Sequence, residues 1–241
     1  MFNIKMASII LLVLALTGCV AYKTRVGVTE AMILTNSLNH IIHKAEIKVD
    51  GGEWKETSKK GTSFPIGDGL QVGLSHCDVQ NFVIIRTQFG VYKQDIEVRN
   101  RSYWIGKVEI ELVARLGDIS IYKKPYEADN PFTLGVDPDV GVELLIIGDS
   151  FLDGNNWKTG IVSMLEISER WIERDDDLNY CFLHTVPLNP GDSGSPVLAK
   201  RGHLYEVVGI ANAGAMQAQL YNFAIRVSRI KETIKLIGDK K

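Results

Sequence analysis

The sequence predicts an all-β protein of two six-stranded antiparallel β-barrels, with one helix ahead of the first barrel and one after the second. Short runs of alternating apolar and polar residues follow one another in two sets of about six, turn residues separate them, and a helical period is confined to the flanks. The 241 residues are 45% hydrophobic and 23% charged, enough for one large domain or two small ones sharing a core and too apolar for a disordered chain. Lys and Arg total 27 against 29 Asp and Glu, so no overall basic field exists to hold a nucleic-acid backbone, and nucleic acid is excluded as a partner.

The first twenty residues stand apart. After Lys5 comes the apolar run MASIILLVLAL (6–16), then Thr17, Gly18 and Cys19. The run is too short to span a bilayer and has the form of a secretory signal. LTGC (16–19) resembles the lipobox of bacterial lipoproteins, which implies cleavage before Cys19 and diacylation of that cysteine. Residues 1–18 are then a lipoprotein signal peptide and 19–28 a tether, and the chain is exported and anchored to the bacterial membrane, at the outer membrane or periplasmic face. Each buried CH₂ of an acyl chain contributes about 0.8 kcal/mol to such anchoring. Cys77 and Cys181 remain. A disulfide needs their Cα atoms within about 7 Å, and the reading below puts them in different halves of the fold, so two buried free thiols are expected.

The elements follow in order. Ile33, Leu34, Leu38, Ile41, Ile42 and Ala45 recur at three and four and predict a helix over 29–45. His40 and His43 lie on it with no third ligand nearby, which favours solvent-edge histidines over a metal pair, and no metal is expected. The first barrel, about 45–124, takes AEIKV (45–49), TSFPI (62–66), LQVGL (70–74), FVIIR (82–86), QDIEVR (94–99), VEIELVARL (108–116) and ISIY (119–122). Residues 125–141, with Pro125, Pro131 and Pro138, connect it to the second, about 140–226. That barrel takes VELLII (142–147), TGIVSMLEI (159–167), CFLHTV (181–186), SPVLA (195–199), YEVVGIA (205–211) and LYNFAI (220–225). ERDDD (173–177) lacks the ligand spacing of a calcium loop and reads as a hairpin tip. Ile230, Ile234 and Ile237 give the closing helix, 228–237.

Chemistry concentrates in NPGDSGSPV (189–197), where glycines flank a single serine, Ser193. A serine hydroxyl is a weak nucleophile that needs a base within hydrogen-bond reach and donors aimed at the developing oxyanion. Without a Cβ at Gly191, the chain can turn so that the Gly191 and Ser193 N–H groups converge, and Gly194 allows a substrate backbone to come close.

GDSGSP resembles the nucleophile motif of the trypsin-like (chymotrypsin-fold) serine peptidases. GTSFPIGDGLQVGLSH (61–76) is similar to the segment that delivers the family's histidine, here His76, and GDISIYK (117–123) to the one that carries its aspartate, here Asp118. The resemblance implies that His76 takes the Ser193 proton and passes it to the leaving amine, while Asp118 orients the imidazole. Each residue also has a plain reading, as core histidine, turn aspartate and turn serine, and Asp95 in QDIEV is the alternative aspartate. KTGIVSML (158–165), LHTVPLNPGDSGSPV (183–197) and YNFAIRVSRIKETI (221–234) resemble the HtrA-like protease domain most closely. The similarity runs over roughly 29–237, so 29–241 is expected to be the protease domain, without the PDZ module of that family.

Three departures from the family pattern stand out. Ser195 replaces the second glycine of the usual motif, as in glutamyl-endopeptidase-like members. Gly73 and Ser75 replace a threonine and an alanine and are expected to loosen the strand before His76. No internal IVGG-like start exists, and an acylated Cys19 amine could not insert to pair with Asp192, so activation by N-terminal cleavage is not expected. By resemblance, Val186, Pro187 and Leu188 form the base of the specificity pocket, and Ile210 to Gly214, with Ala211, Asn212 and Ala213, its wall. Pro187 stands where trypsins carry an aspartate, so a basic substrate side chain would be buried unpaired. Ala211 and Asn212 replace the wall histidine of glutamyl endopeptidases, and His184 and His203 lie outside the matching positions. The expectation is a lipid-anchored serine endopeptidase without cofactor, cutting proteins or peptides after Val, Ala, Leu or similar residues. A catalytically silent barrel serving as a binding or chaperone-like lipoprotein is the alternative.

Overall fold

In a computed structural model the described residues are 37–87, 90–127, 130–150, 156–167, 179–214 and 222–238, with the backbone alone described at 84–87, 90–91 and 213–214. The signal segment, Cys19, residues 29–36 of the expected first helix and the ERDDD run lie outside them.

The strands in chain order are β1 (Asn39–Lys48), β2 (Lys55–Gly67), β3 (Leu70–Leu74), β4 (Phe82–Thr87), β5 (Gly90–Asp95), β6 (Glu97–Ile105), β7 (Val108–Leu116) and β8 (Ile119–Lys123). They are followed by β9 (Glu143–Gly148), β10 (Asn156–Met164), β11 (Cys181–His184), β12 (Pro196–Arg201), β13 (Leu204–Gly214), β14 (Asn222–Arg226) and the helix α1 (Val227–Gly238). β1-β2-β3-β8-β7-β6 close one barrel and β10-β11-β14-β13-β12-β9 the other, while β4 and β5 form a separate hairpin. All barrel pairings are antiparallel.

Two expectations need correction. Residues 39–45 are strand, not helix: Ile41, His43 and Ala45 are buried in alternation with Ile42 and Lys44, and β1 pairs with both β2 and β6. Two neighbouring strands satisfy its backbone, so the period of two prevails over the helical spacing. His43 accordingly lies in the barrel core at 1% exposure instead of at a solvent edge. FVIIR belongs to the β4–β5 hairpin outside the barrel, and the QDIEVR run is divided at Ile96 between β5 and β6.

Each barrel has its own core. Ile41, Tyr103, Ile105, Ile110 and Tyr122 fill the first, and Leu144, Ile146, Val162, Phe182, Val197 and Val208 are among those filling the second. The helix α1 packs on β7 and β8 of the first barrel as well as β13 and β14 of the second. The Ser228 N–H in its first turn donates to Asp137 Oδ1 at 3.0 Å, and Lys231 Nζ donates to the Gly135 carbonyl at 2.5 Å. These bonds satisfy a helix-terminal donor and fix α1 against the connection. Cys77 is half-buried and Cys181 buried, in different halves of the fold, and no disulfide joins them. Among the described residues no helix is long and apolar enough to cross a membrane.

Candidate active site

β3 ends in a 3₁₀ turn, Ser75–Cys77, which presents His76. Opposite it, the tight turn between β7 and β8 carries Asp118, with Gly117 at φ +57° making the reversal. β3 and β8 are neighbours, with Leu74 paired to Ile119, and this register sets the two turns side by side. The Ser75 N–H donates to the Asp118 carbonyl at 2.7 Å. The Asp118 carboxylate is almost fully buried and well supplied with donors. Oδ1 accepts from the Ser75 hydroxyl and the His76 N–H, each at 2.8 Å, and Oδ2 lies 2.6 Å from His76 Nδ1. His76 keeps 20% of its side chain exposed. Burial pushes against its charged form, but the Asp118 hydrogen bond, joined by the Cys77 side chain and the Asp118 charge, wins, and the imidazole pKa is raised to about 10.

The exit of this turn is also tied. Asp78 is buried among Tyr122 Oη at 3.2 Å, Tyr103 Oη at 3.5 Å and the Arg115 guanidinium. The Val79 N–H donates to His43 Nδ1 at 2.6 Å, which requires that nitrogen to be unprotonated. Burial, followed by the charges of Arg101, Arg115 and Lys59, lowers the His43 pKa to about 4 and keeps it neutral. Gly73 is equally well packed: a Cβ there would meet Ile41 Cδ1 at 3.3 Å and a Tyr122 ring carbon at 3.4 Å. The strand before His76 is therefore closely fitted where the sequence suggested looseness.

Ser193 comes from the second barrel, on the 189–195 loop ahead of β12. The Asp192 N–H donates to the Asn189 carbonyl at 3.0 Å and the Ser195 N–H to the Asp192 carbonyl at 2.9 Å, two consecutive turns with Gly191 and Gly194 at φ +100° and +91°. The loop rests on β2: the Thr62 N–H donates to the Ser193 carbonyl at 3.3 Å and the Thr62 hydroxyl to the Gly191 carbonyl at 2.8 Å. The Ser193 hydroxyl donates to the Asn212 carbonyl at 3.0 Å. His76 and Asp118 are thus brought together by hydrogen bonds, whereas the Ser193 hydroxyl bonds to Asn212. Asp95 is exposed at the end of the β4–β5 hairpin.

Of the expected pocket residues, Val186 and Ala211 are fully buried in the second core, and Pro187, Leu188 and Asn212 are half-buried. Ala213 and Gly214 lie on β13, where the backbone alone is described. Several polar contacts escaped the sequence reading. Ser75 braces Asp118, and His40 Nε2 on β1 meets Asp149 Oδ2 just after β9 at 2.6 Å, across the two barrels. Lys158 and Ser150 contact the fully buried Asp192. The alternation Ile41–His43–Ala45 was a signal for His43; for the others the one clue was that a buried carboxylate needs partners.

The fold is chymotrypsin-like. Residues 148–234 match the family model described as Trypsin. The chain is similar to the Rv3671c protease of M. tuberculosis in its active form, with 14% identity, a TM-score of 0.60, and coverage of 86% of this chain and 83% of that one. It is similar to the HtrA-type protease AlgW with a decapeptide at 17% identity and a TM-score of 0.59, covering 85% of this chain and 65% of that one. For the serine endoprotease from Yersinia pestis the values are 20% identity, a TM-score of 0.51, and coverage of 83% and 64%. The chain therefore spans just under two thirds of the length of the last two structures. Comparison with curated proteins gave no match.

Proposed function

We propose that the chain is a serine endopeptidase, tethered to the membrane by acylated Cys19 on the exported side. The observation that carries this is the buried Asp118 carboxylate, held by Ser75 and the His76 N–H and hydrogen-bonded to His76 Nδ1 at 2.6 Å. A carboxylate so placed fixes the imidazole tautomer and leaves Nε2 to accept a proton.

The reaction begins as the Ser193 hydroxyl turns from the Asn212 carbonyl towards His76. Ser193 Oγ attacks the scissile carbonyl carbon as its proton passes to His76 Nε2, and the carbonyl electrons move to an oxygen held by the Gly191 and Ser193 N–H groups. His76 gives the proton to the leaving amine, whose C–N bond breaks to leave an acyl-serine. Water, deprotonated by His76, then releases the acid. Asp118 stays ionised throughout and stabilises the imidazolium. Substrates are proteins or peptides, cut after small or medium apolar residues received beside Pro187, Leu188 and Asn212.

The Ser193–Asn212 hydrogen bond favours a second reading, a silent barrel that binds polypeptide without cutting it. A fluorophosphonate probe with the full chain separates the two. A phosphonylated Ser193, absent from Ser193→Ala, is the expected result, and an unlabelled wild-type protein would leave the binding module.

A further inference from the structure

The carboxylate next to Ser193 in the chain, Asp192, has no exposure to solvent. A buried carboxylate with no counter-charge is strongly disfavoured. Asp192 has a cation: Lys158 reaches in from β10 and its Nζ donates to Oδ2. The lysine side chain is itself only 11% exposed. Asn189 donates its N–H to the same oxygen at 2.6 Å, and Ser150 Oγ lies 3.1 and 3.2 Å from the two carboxylate oxygens. Lys158 Nζ also donates to Ser150 Oγ at 2.6 Å, and Asn189 Nδ2 does so at 3.3 Å. Room for the carboxylate exists because Gly148 ends β9, where a Cβ would lie 2.1 Å from Asp192 Oδ1. The cluster is built into the second barrel beneath the Ser193 loop.

We infer that Lys158 is a positioning residue, an internal counter-ion that pins Asp192 in the barrel and thereby sets the Gly191 and Ser193 amides and the Ser193 hydroxyl for acyl transfer. The inference rests on the peptidase reading for its kinetic consequence. Its structural basis is independent: the N–H and carbonyl of Asp192 close the two turns that shape residues 189–195, so a displaced Asp192 displaces its neighbours. Without the ammonium, the buried carboxylate has no counter-charge, swings out to water and carries the loop with it. The donors then miss the oxyanion, a loss felt in the transition state more than in substrate binding.

The test uses the full chain with Lys158→Met, Lys158→Arg, Asp192→Asn and the Lys158→Met/Asp192→Asn pair. Peptide hydrolysis is measured together with amide hydrogen exchange of residues 189–195. Lys158→Met is expected to lower kcat about 100-fold or more with KM within about threefold, since removing one oxyanion donor has an effect of that size. Lys158→Arg should keep most of the activity. In the Asp192→Asn background the same methionine substitution should change kcat by less than about fivefold, because no buried charge remains to be compensated. Exchange at 189–195 should quicken at least tenfold in Lys158→Met while β12 and β13 stay as protected as in the wild type. Wild-type kcat in Lys158→Met, an equal loss in the Asp192→Asn background, or unchanged exchange overturns the inference. If the wild-type protein hydrolyses nothing and resists the fluorophosphonate, the peptidase reading fails, and the exchange measurement alone decides whether Lys158 positions the loop.

Discussion

Gly194 sits so close to Thr62 that a Cβ on it would lie 2.0 Å from the Thr62 carbonyl oxygen. Its φ of +91° excludes most side chains independently. The loop bearing Ser193 is therefore seated backbone to backbone on a strand of the other barrel. Gly194→Ala should lower stability by roughly 3 kcal/mol and abolish fluorophosphonate labelling, combining unfavourable φ with a backbone clash. Thr62→Val, which loses one hydroxyl bond to Gly191, should cost about 1 kcal/mol. Thermal denaturation checks both, and an alanine variant as stable as the wild type contradicts the seating.

Activity and stability should respond to pH in opposite directions. His76 accepts the Ser193 proton only when neutral, and its pKa is raised from 6.5, so the acid limb of kcat/KM should lie above pH 7. The ion pair with Asp118 adds stability that is fully present below 6.5 and is lost as the pH climbs towards the raised value of about 10. Asp118→Asn should move the limb to lower pH and reduce kcat by about 10³–10⁴. A limb at or below 6.5 in the wild type would count against the coupled pair.

Ser75→Ala removes the hydroxyl that donates to Asp118 Oδ1 at 2.8 Å. Hydrogen bonds to charged groups contribute about 1.5–3 kcal/mol, so kcat should fall roughly tenfold or more with KM little changed. Ser75→Thr, which keeps the hydroxyl, should restore most of the rate. Equal kinetics for the alanine and threonine variants would remove Ser75 from the argument.

Cys19→Ser should block fatty-acid labelling and release the protein to the soluble fraction, because the acyl chains carry the proposed anchoring. Fractionation after metabolic labelling measures this. Retention of the serine variant in the membrane would require another anchor.

A cleavage-site profile should show Val, Ala and Leu before the scissile bond, with shallow discrimination among them. Burial alone separates such residues, at about 1–3 kcal/mol per methylene. Arg, Lys or Glu dominating that position would refute the apolar pocket.

How much of this was legible in the sequence depended on distance along the chain. Ser193, Asp118 and His76 each sit in a local string with its own turn chemistry, and the chain turns at all three places. The polar ties between them were invisible, because Ser75 and Asp118 stand 43 residues apart and Lys158 and Asp192 34, and only barrel closure joins them. β1 was misread because 39–45 satisfies two periods at once, and a polar histidine at position 43 hid the inward alternation. FVIIR has the composition of a barrel strand, and no local feature says that β4 will pair with β5 alone.

The strap made by α1 bears on the order in which the protein is completed during synthesis. The turns that carry His76 and Asp118 leave the ribosome with the first barrel, the Ser193 loop emerges with the second, and residues 227–238, which fold back onto β7 and β8, follow both. Domains tend to fold from the N-terminal side as they emerge. The first barrel can thus form while the serine is still unmade, and the clamp that fixes one barrel to the other is the last of these parts to arrive. A chain that ends before residue 227 carries the His76 and Asp118 turns and the Ser193 loop without the helix that ties their two barrels together.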